Sequence, residues 1–178
     1  MVELGAEEGF QLVGFKLLYY HGCISNAVID HLVSVPELRV IHLKRKNRLA
    51  RWISHRRASE TDSWFKKRDD RSTRDAPGKI TLSVDTTLRD FLQMELYEER
   101  TDATFAGLPL LEVHYEQLAD DPRGECLRVL EFLGAGASEL RVGTRKTGDQ
   151  DPGNMVDNWD EIRPRLALTR WGEWARLG

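Results

Sequence analysis

The apolar positions change their period inside the segment 39–58 (RVIHLKRKNRLARWISHRRA), and that change predicts the junction around which the chain is organised. Arg39-Val40-Ile41-His42-Leu43 is short, apolar and β-branched, follows Pro36, and reads as a buried strand. Beyond it Leu49, Trp52 and Ile53 recur at helical spacing, with Asn47 placed to cap the helix start. Elsewhere, Gln11 to Leu18 is a short apolar run that predicts a strand interrupted by Lys16. From Cys23 to Val33, Ile24, Val28, Ile29 and Leu32 share one helical face. Strand, helix and strand in that order predict a βαβ unit with a parallel sheet.

Further along, Thr86 to Arg100 predicts a helix capped by Asp85, with Leu88, Phe91, Leu92 and Leu96 in period and Glu95 as the polar exception. Leu108 to His114 predicts a third strand, with Tyr115 at its carboxyl end. Asp121-Pro122 introduces a helix over Arg123–Leu133 that Gly134 terminates. Gly143 to Gly153 reads as a loop. Asn158-Trp159 opens a last helix, in which Pro164 marks a break or a start. The stretch Ser59–Gly78 is long, polar and charged, anchored by Trp64 and Phe65, as lids and binding loops often are.

Composition narrows the picture. The 178 residues predict one domain, and 40% apolar residues suffice for an ordinary core. No run reaches the roughly 18 to 20 apolar residues of a membrane span. The acidic start MVELGAEEGF is neither a signal nor a basic transit peptide, so a cytoplasmic location is expected. Cys23 and Cys126 have no framework spacing and read as small buried hydrophobes in a reducing compartment. No HExxH, CxxC pair or EF-hand loop occurs, which disfavours a metal enzyme, and no GxSxG occurs, which disfavours that class of hydrolase.

The net charge of −3 conceals an asymmetry. Residues 39–74 hold thirteen Lys and Arg against four Asp and Glu, and the remainder holds thirteen against twenty-five. A basic patch on an acidic body points to an anionic ligand beside that segment. The strand–turn–helix junction is the natural place for one. Strand ends in open α/β sheets face a crevice, and a helix N-terminus favours negative charge. Lys44, Arg45 and Lys46 lie in that turn and Ser54 two turns beyond, so a guanidinium and a hydroxyl are available to one phosphate.

This segment resembles the 3′-phosphate-binding segment of PAPS-dependent sulfotransferases, most closely the bacterial carbohydrate-sulfating branch. Leu111 to Leu118 with Asp121-Pro122 and Leu130 to Gly134 is similar to a second block of that family, and Lys146-Thr147-Gly148 with Asn158-Trp159 to a third. The blocks occur in the family order between about Phe15 and Leu166. The resemblance implies a three-layer, P-loop-like α/β fold, a parallel sheet flanked by helices. It implies a sulfuryl transfer from PAPS to a hydroxyl of a carbohydrate or small molecule, without metal. Arg45, Lys46, Ser54, Arg145, Lys146, Thr147 and Gly148 would then hold phosphate, and Tyr115 would line the adenine. Lys16 and His21 are the nearest matches to residues that approach the sulfuryl group. The acceptor would meet the Ser59–Gly78 region, whose cations include Lys66, Lys67, Arg68, Arg71 and Arg74.

The family's Ser/Gly-rich phosphosulfate loop has no counterpart in the thirteen residues before Gly14, so the resemblance implies an N-terminally truncated domain. Alternatives are an inactive remnant that binds PAPS or 3′,5′-ADP, and a nucleic-acid-binding module built on residues 39–74. The latter is disfavoured by the scarcity of interleaved aromatics. A P-loop kinase relative lacks GxxxxGK[ST]. A homodimer is a compatible assembly.

Overall fold

The computed structural model describes residues 12–22, 26–61, 78–136 and 151–176. Their elements, in chain order, are α1 (Tyr19–Gly22), α2 (Asn26–Val33), β1 (Val40–Lys44), α3 (Arg48–Thr61), α4 (Val84–Phe105), β2 (Leu110–His114), α5 (Tyr115–Asp120), α6 (Pro122–Leu133), α7 (Pro152–Met155), α8 (Trp159–Ala167) and α9 (Glu173–Arg176). They form two compact units: Met1–Lys44 with Tyr97–Leu140, and Arg45–Leu96 with Arg141–Gly178.

The first unit holds a two-stranded parallel sheet in which Val40 pairs with Leu110 and Lys44 with His114. Alternation gives this small sheet two unlike faces. His42, Lys44, Glu112 and His114 share one face, and Ile41, Leu43, Leu111 and Val113 share the other. The expected sense of burial is reversed in β1. His42 is buried at 4% exposure, whereas Ile41 and Leu43 are 41% and 51% exposed. The reason is what covers each face. Tyr19 and Asp102 close over His42. The apolar face instead opens on a groove of about 270 Å³ lined by Ile41, Leu43, Val113, Leu118, Cys126, Val129 and Leu130. Cys126 is therefore only half-buried, and Cys23 lies outside the described residues.

The strand expected over Gln11–Leu18 is absent from the described residues 12–18, where Val13 and Phe15 are 71% and 67% exposed. An extended segment becomes a strand only by sharing its backbone hydrogen bonds. Among the described residues β1 finds its partner in β2, 70 positions along, and not in this run. The parallel crossover consequently runs from β1 through α3 and α4 to β2. Helix α6 follows its local signals closely. Asp121 accepts a hydrogen bond from the Gly124 amide at 2.9 Å, Pro122 opens the helix, and Gly134 ends it in the left-handed region at φ 71°. Asp121→Ala is expected to cost about 1 kcal/mol of stability, measurable by urea denaturation.

The second unit contains the larger core. Leu49 and Ile53 of α3, Val84 and Phe91 of α4, Ile80, Leu82, Met155, Val156 and the inner face of α8 form one cluster, packed on by Trp52, Trp171 and Trp174. The Asn47 cap is realised: its side chain accepts from the Ala50 amide at 2.8 Å. Asp85 is not a cap. Helix α4 begins at Val84, and the carbonyl of Ser83 receives the Thr87 amide and the hydroxyls of Thr86 and Thr87. Glu95, the out-of-place polar residue of α4, accepts from the Trp171 indole at 2.7 Å and pairs with Arg170. Pro164 neither starts nor ends α8, although it removes one backbone donor from it. It sits exposed within α8, whose buried Trp159, Ile162 and Leu166 keep that helix together. Gly172 is required where it stands, because a Cβ would lie 2.3 Å from the Ala167 carbonyl oxygen.

Candidate functional site

The polar face of the sheet carries a continuous network. His42 is hydrogen-bonded through Nε2 to the Tyr19 hydroxyl at 2.8 Å and through Nδ1 to Asp102 Oδ1 at 2.8 Å. The other Asp102 oxygen receives the Lys44 ammonium at 2.8 Å. Lys44 also donates to Glu112, whose second oxygen lies 2.8 Å from His114 Nε2. Tyr19 stacks on Tyr97 with ring centroids 5.6 Å apart. Two strands, α1 and the last turns of α4 thus converge on one buried imidazole.

Electrostatics follow from the contacts. Burial alone would lower the Lys44 pKa, but hydrogen bonds to Asp102 and Glu112 and their charges outweigh it and raise it. Burial alone would raise Asp102, yet Lys44 and His42 hold it below the usual carboxylate range. Glu112 is lowered chiefly by its hydrogen bond from Lys44. Depressed carboxylates contribute stability that is full above their unfolded values and lost as pH falls through the folded ones; a raised lysine contributes below its unfolded value and loses it as pH rises. The melting temperature of Lys44→Met is therefore expected to lie below that of the native protein near neutral pH. The gap should close on acidification below about pH 4. A gap independent of pH would contradict the pairing.

The cationic turn has a different composition from the expected one. Lys44 is held between two carboxylates. Beyond the turn, Arg51 pairs with Asp90, and Arg48 lies 3.9 Å from Glu95. The turn's own cations are Arg45, half-buried, and Lys46, exposed, immediately before the capped start of α3. Ser54 is exposed on α3, six residues after its first residue, or roughly 9 Å along the axis. These three residues belong to the second unit, whereas Tyr115, Lys16 and His21 belong to the first.

Tyr115 is half-buried where β2 ends and α5 begins, and Glu116 follows it in the first turn of α5. Lys16 is exposed in an irregular segment and not on a strand. His21 is exposed in α1, its Nδ1 accepting from the Leu18 amide at 3.4 Å. Arg145, Lys146, Thr147 and Gly148 lie outside the described residues, as do Trp64, Phe65 and the cations from Lys66 to Arg74. Asn158 has a structural task. Its side-chain amide bonds both the N–H and the C=O of Leu82, at 3.1 and 2.8 Å, extending the Ile80–Val156 bridge.

Sequence reasoning missed His42, Asp102 and Glu112, and it read Lys44 as a turn cation and not as a member of this network. Part of the signal was present: His-x-Lys in one strand and Glu-x-His in the other put four polar residues on one face once the strands pair in this register. Asp102, 60 positions from His42, had no local signature. Among the described residues no group of three or more His, Cys, Asp or Glu is placed to hold a metal, and no helix is long and apolar enough to cross a membrane.

Comparison with known proteins finds similarity to two sequences of the same name. Over 138 residues the chain is 30% identical to nodulation protein H of Rhizobium meliloti strain 1021, covering 76% of this chain and 55% of that protein. A second nodulation protein H of Rhizobium meliloti is 29% identical with the same coverage. The chain spans about half the length of the curated relatives it matches. No family model matches it, and neither does any solved structure. By sequence, this chain is thus a distant relative of nodulation protein H across three quarters of its own length.

Proposed function

We propose that the chain is a sulfotransferase-like protein that binds the 3′-phosphate of PAPS and serves sulfuryl transfer to a hydroxyl of a carbohydrate or small molecule. The observation that carries the reading is the passage from the carboxyl end of β1, through Arg45 and Lys46, to the Asn47-capped N-terminus of α3. A parallel strand, a cationic turn and a helix start are the parts an open α/β sheet uses to hold a phosphate. The three ordered blocks of the sequence and the similarity to nodulation protein H support the same family-level reading. On this reading the two-stranded parallel sheet with its helical crossover is part of a P-loop-like, three-layer architecture.

The side chains present suit the ribose-phosphate end of the donor. Arg45 offers a planar fork of donors, Lys46 a point charge and Ser54 a hydroxyl one to two turns into α3. The family resemblance assigns the base to an aromatic face at Tyr115. When bound, PAPS supplies the sulfuryl group, and the residues named here bind and orient it. Such transfers depend on positioning and on offsetting charge at the leaving oxygen, as phosphoryl transfers do. Isothermal calorimetry with 3′,5′-ADP is the test. Saturable binding with a Kd on the order of micromolar is expected; folded protein that gives no heat removes the reading.

A further inference from the structure

We propose that Tyr19, His42 and Asp102 form a proton-accepting triad in which the Tyr19 hydroxyl is the group that meets the hydroxyl of the acceptor. The identity of the acceptor rests on the sulfotransferase-like reading; the reactivity of Tyr19 does not.

The geometry assigns each proton. Asp102 is bonded to Lys44 and kept ionised, so it accepts from Nδ1 of His42. A neutral imidazole with hydrogen on Nδ1 has a bare Nε2, and Nε2 is the atom 2.8 Å from the Tyr19 oxygen. Tyr19 therefore donates to His42. A hydroxyl, a base and a carboxylate that orients the base is the arrangement that activates an oxygen nucleophile, whatever the fold. Asp102 and Glu112 bring two negative charges to the cluster and Lys44 one positive. His114 joins through Glu112 and Tyr97 through its ring, and neither bonds His42. His42 is almost wholly buried while Tyr19 is half-buried, so of the two groups sharing the Nε2 hydrogen bond the tyrosine is the more accessible.

In the transfer, the acceptor hydroxyl gives its proton to the Tyr19 oxygen as Tyr19 passes its own to His42 Nε2. The acceptor oxygen forms its bond to sulfur, and the sulfur's bond to its leaving group breaks with the electron pair on the leaving group. The same activation makes Tyr19 a nucleophile toward a sulfonyl fluoride: the Tyr19 oxygen bonds sulfur, fluoride departs with its electron pair, and the phenolic proton passes to His42 and then to water.

Labelling of the native protein with phenylmethylsulfonyl fluoride, read by peptide mass mapping, tests this without turnover. Tyr20, on the same short helix and 56% exposed, is the internal standard. Tyr19 is expected to label faster than Tyr20 despite its greater burial. His42→Gln keeps an oxygen that accepts the Tyr19 hydrogen bond and removes the base. It is expected to slow Tyr19 labelling on the order of 100-fold and leave Tyr20 unchanged. Labelling of Tyr19 no faster than Tyr20, or unaffected by His42→Gln, overturns the proposal. Should that variant not fold, ¹⁵N NMR of the native imidazole decides: hydrogen on Nδ1 supports the triad, and hydrogen on Nε2 overturns it. Titration of the same native sample with 3′,5′-ADP separates the two readings, because absent binding removes the donor site and leaves the labelling result standing.

Discussion

Arg45→Glu is expected to reduce affinity for 3′,5′-ADP by roughly 100-fold or more, which at about 1.4 kcal/mol per tenfold is a loss near 3 kcal/mol. The substitution removes a planar pair of donors and puts a carboxylate where the proposed site would hold a phosphate, so attraction would become repulsion at hydrogen-bond distance. The position magnifies the effect. Residue 45 directly follows β1 and lies three residues before the first residue of α3, at the positive end of that helix. Arg56→Glu is the control. It changes the net charge equally, within α3, at a side chain 42% exposed and paired with Glu60 one turn along. Affinity within a few-fold of native is expected there, since surface pairs contribute about 0 to 1 kcal/mol and salt screens them. Equal losses in the two variants would mean that general electrostatics, and not a site at Arg45, drives the binding.

Phe91→Ala should destabilise the second unit by about 3 to 5 kcal/mol. Phe91 is 2% exposed and meets Trp171 and Trp174 edge-on, with centroids 5.6 and 5.4 Å away. Its removal forfeits the transfer of a whole ring from water, two aromatic contacts and the packing around the space left behind. That is a large share of the roughly 5 to 15 kcal/mol by which a domain is ordinarily stable. Leu96→Ala offers the comparison within the same helix, because Leu96 obeys the same apolar period yet is 59% exposed. A change of about 0.5 kcal/mol is expected for it. Urea midpoints at unchanged slope measure both. If the two variants lose the same amount, the core is not where the structure places it.

These two leucine and phenylalanine positions show where reading the chain succeeds and where it stops. Helix α3 is visible in the sequence because its signals are local. Asn47 caps the Ala50 amide three residues away, and Leu49 and Ile53 recur one turn apart. Helix α6 is visible for the same reason, with Asp121, Pro122 and Gly134 each acting within a turn of the backbone they satisfy. The cationic turn is legible too, since strand end, basic residues and helix start are contiguous.

Period alone does not say which side of an element is covered. Leu92 and Leu96 fit the stripe of Phe91 and remain 45% and 59% exposed, and Ile41 and Leu43 stand open while the histidine between them is buried. The bond from His42 to Asp102 spans 60 positions, Lys44 reaches 68 positions to Glu112, and Arg39 reaches 93 to the Phe132 carbonyl. Caps, turns and periods are settled by atoms a few residues apart, which any unfolded chain already holds close together. Burial, the charge balance around Lys44 and the proton path from Tyr19 depend on which distant segments meet. Such meetings are selected by the free energy of the whole packed arrangement, so no short window of residues contains them.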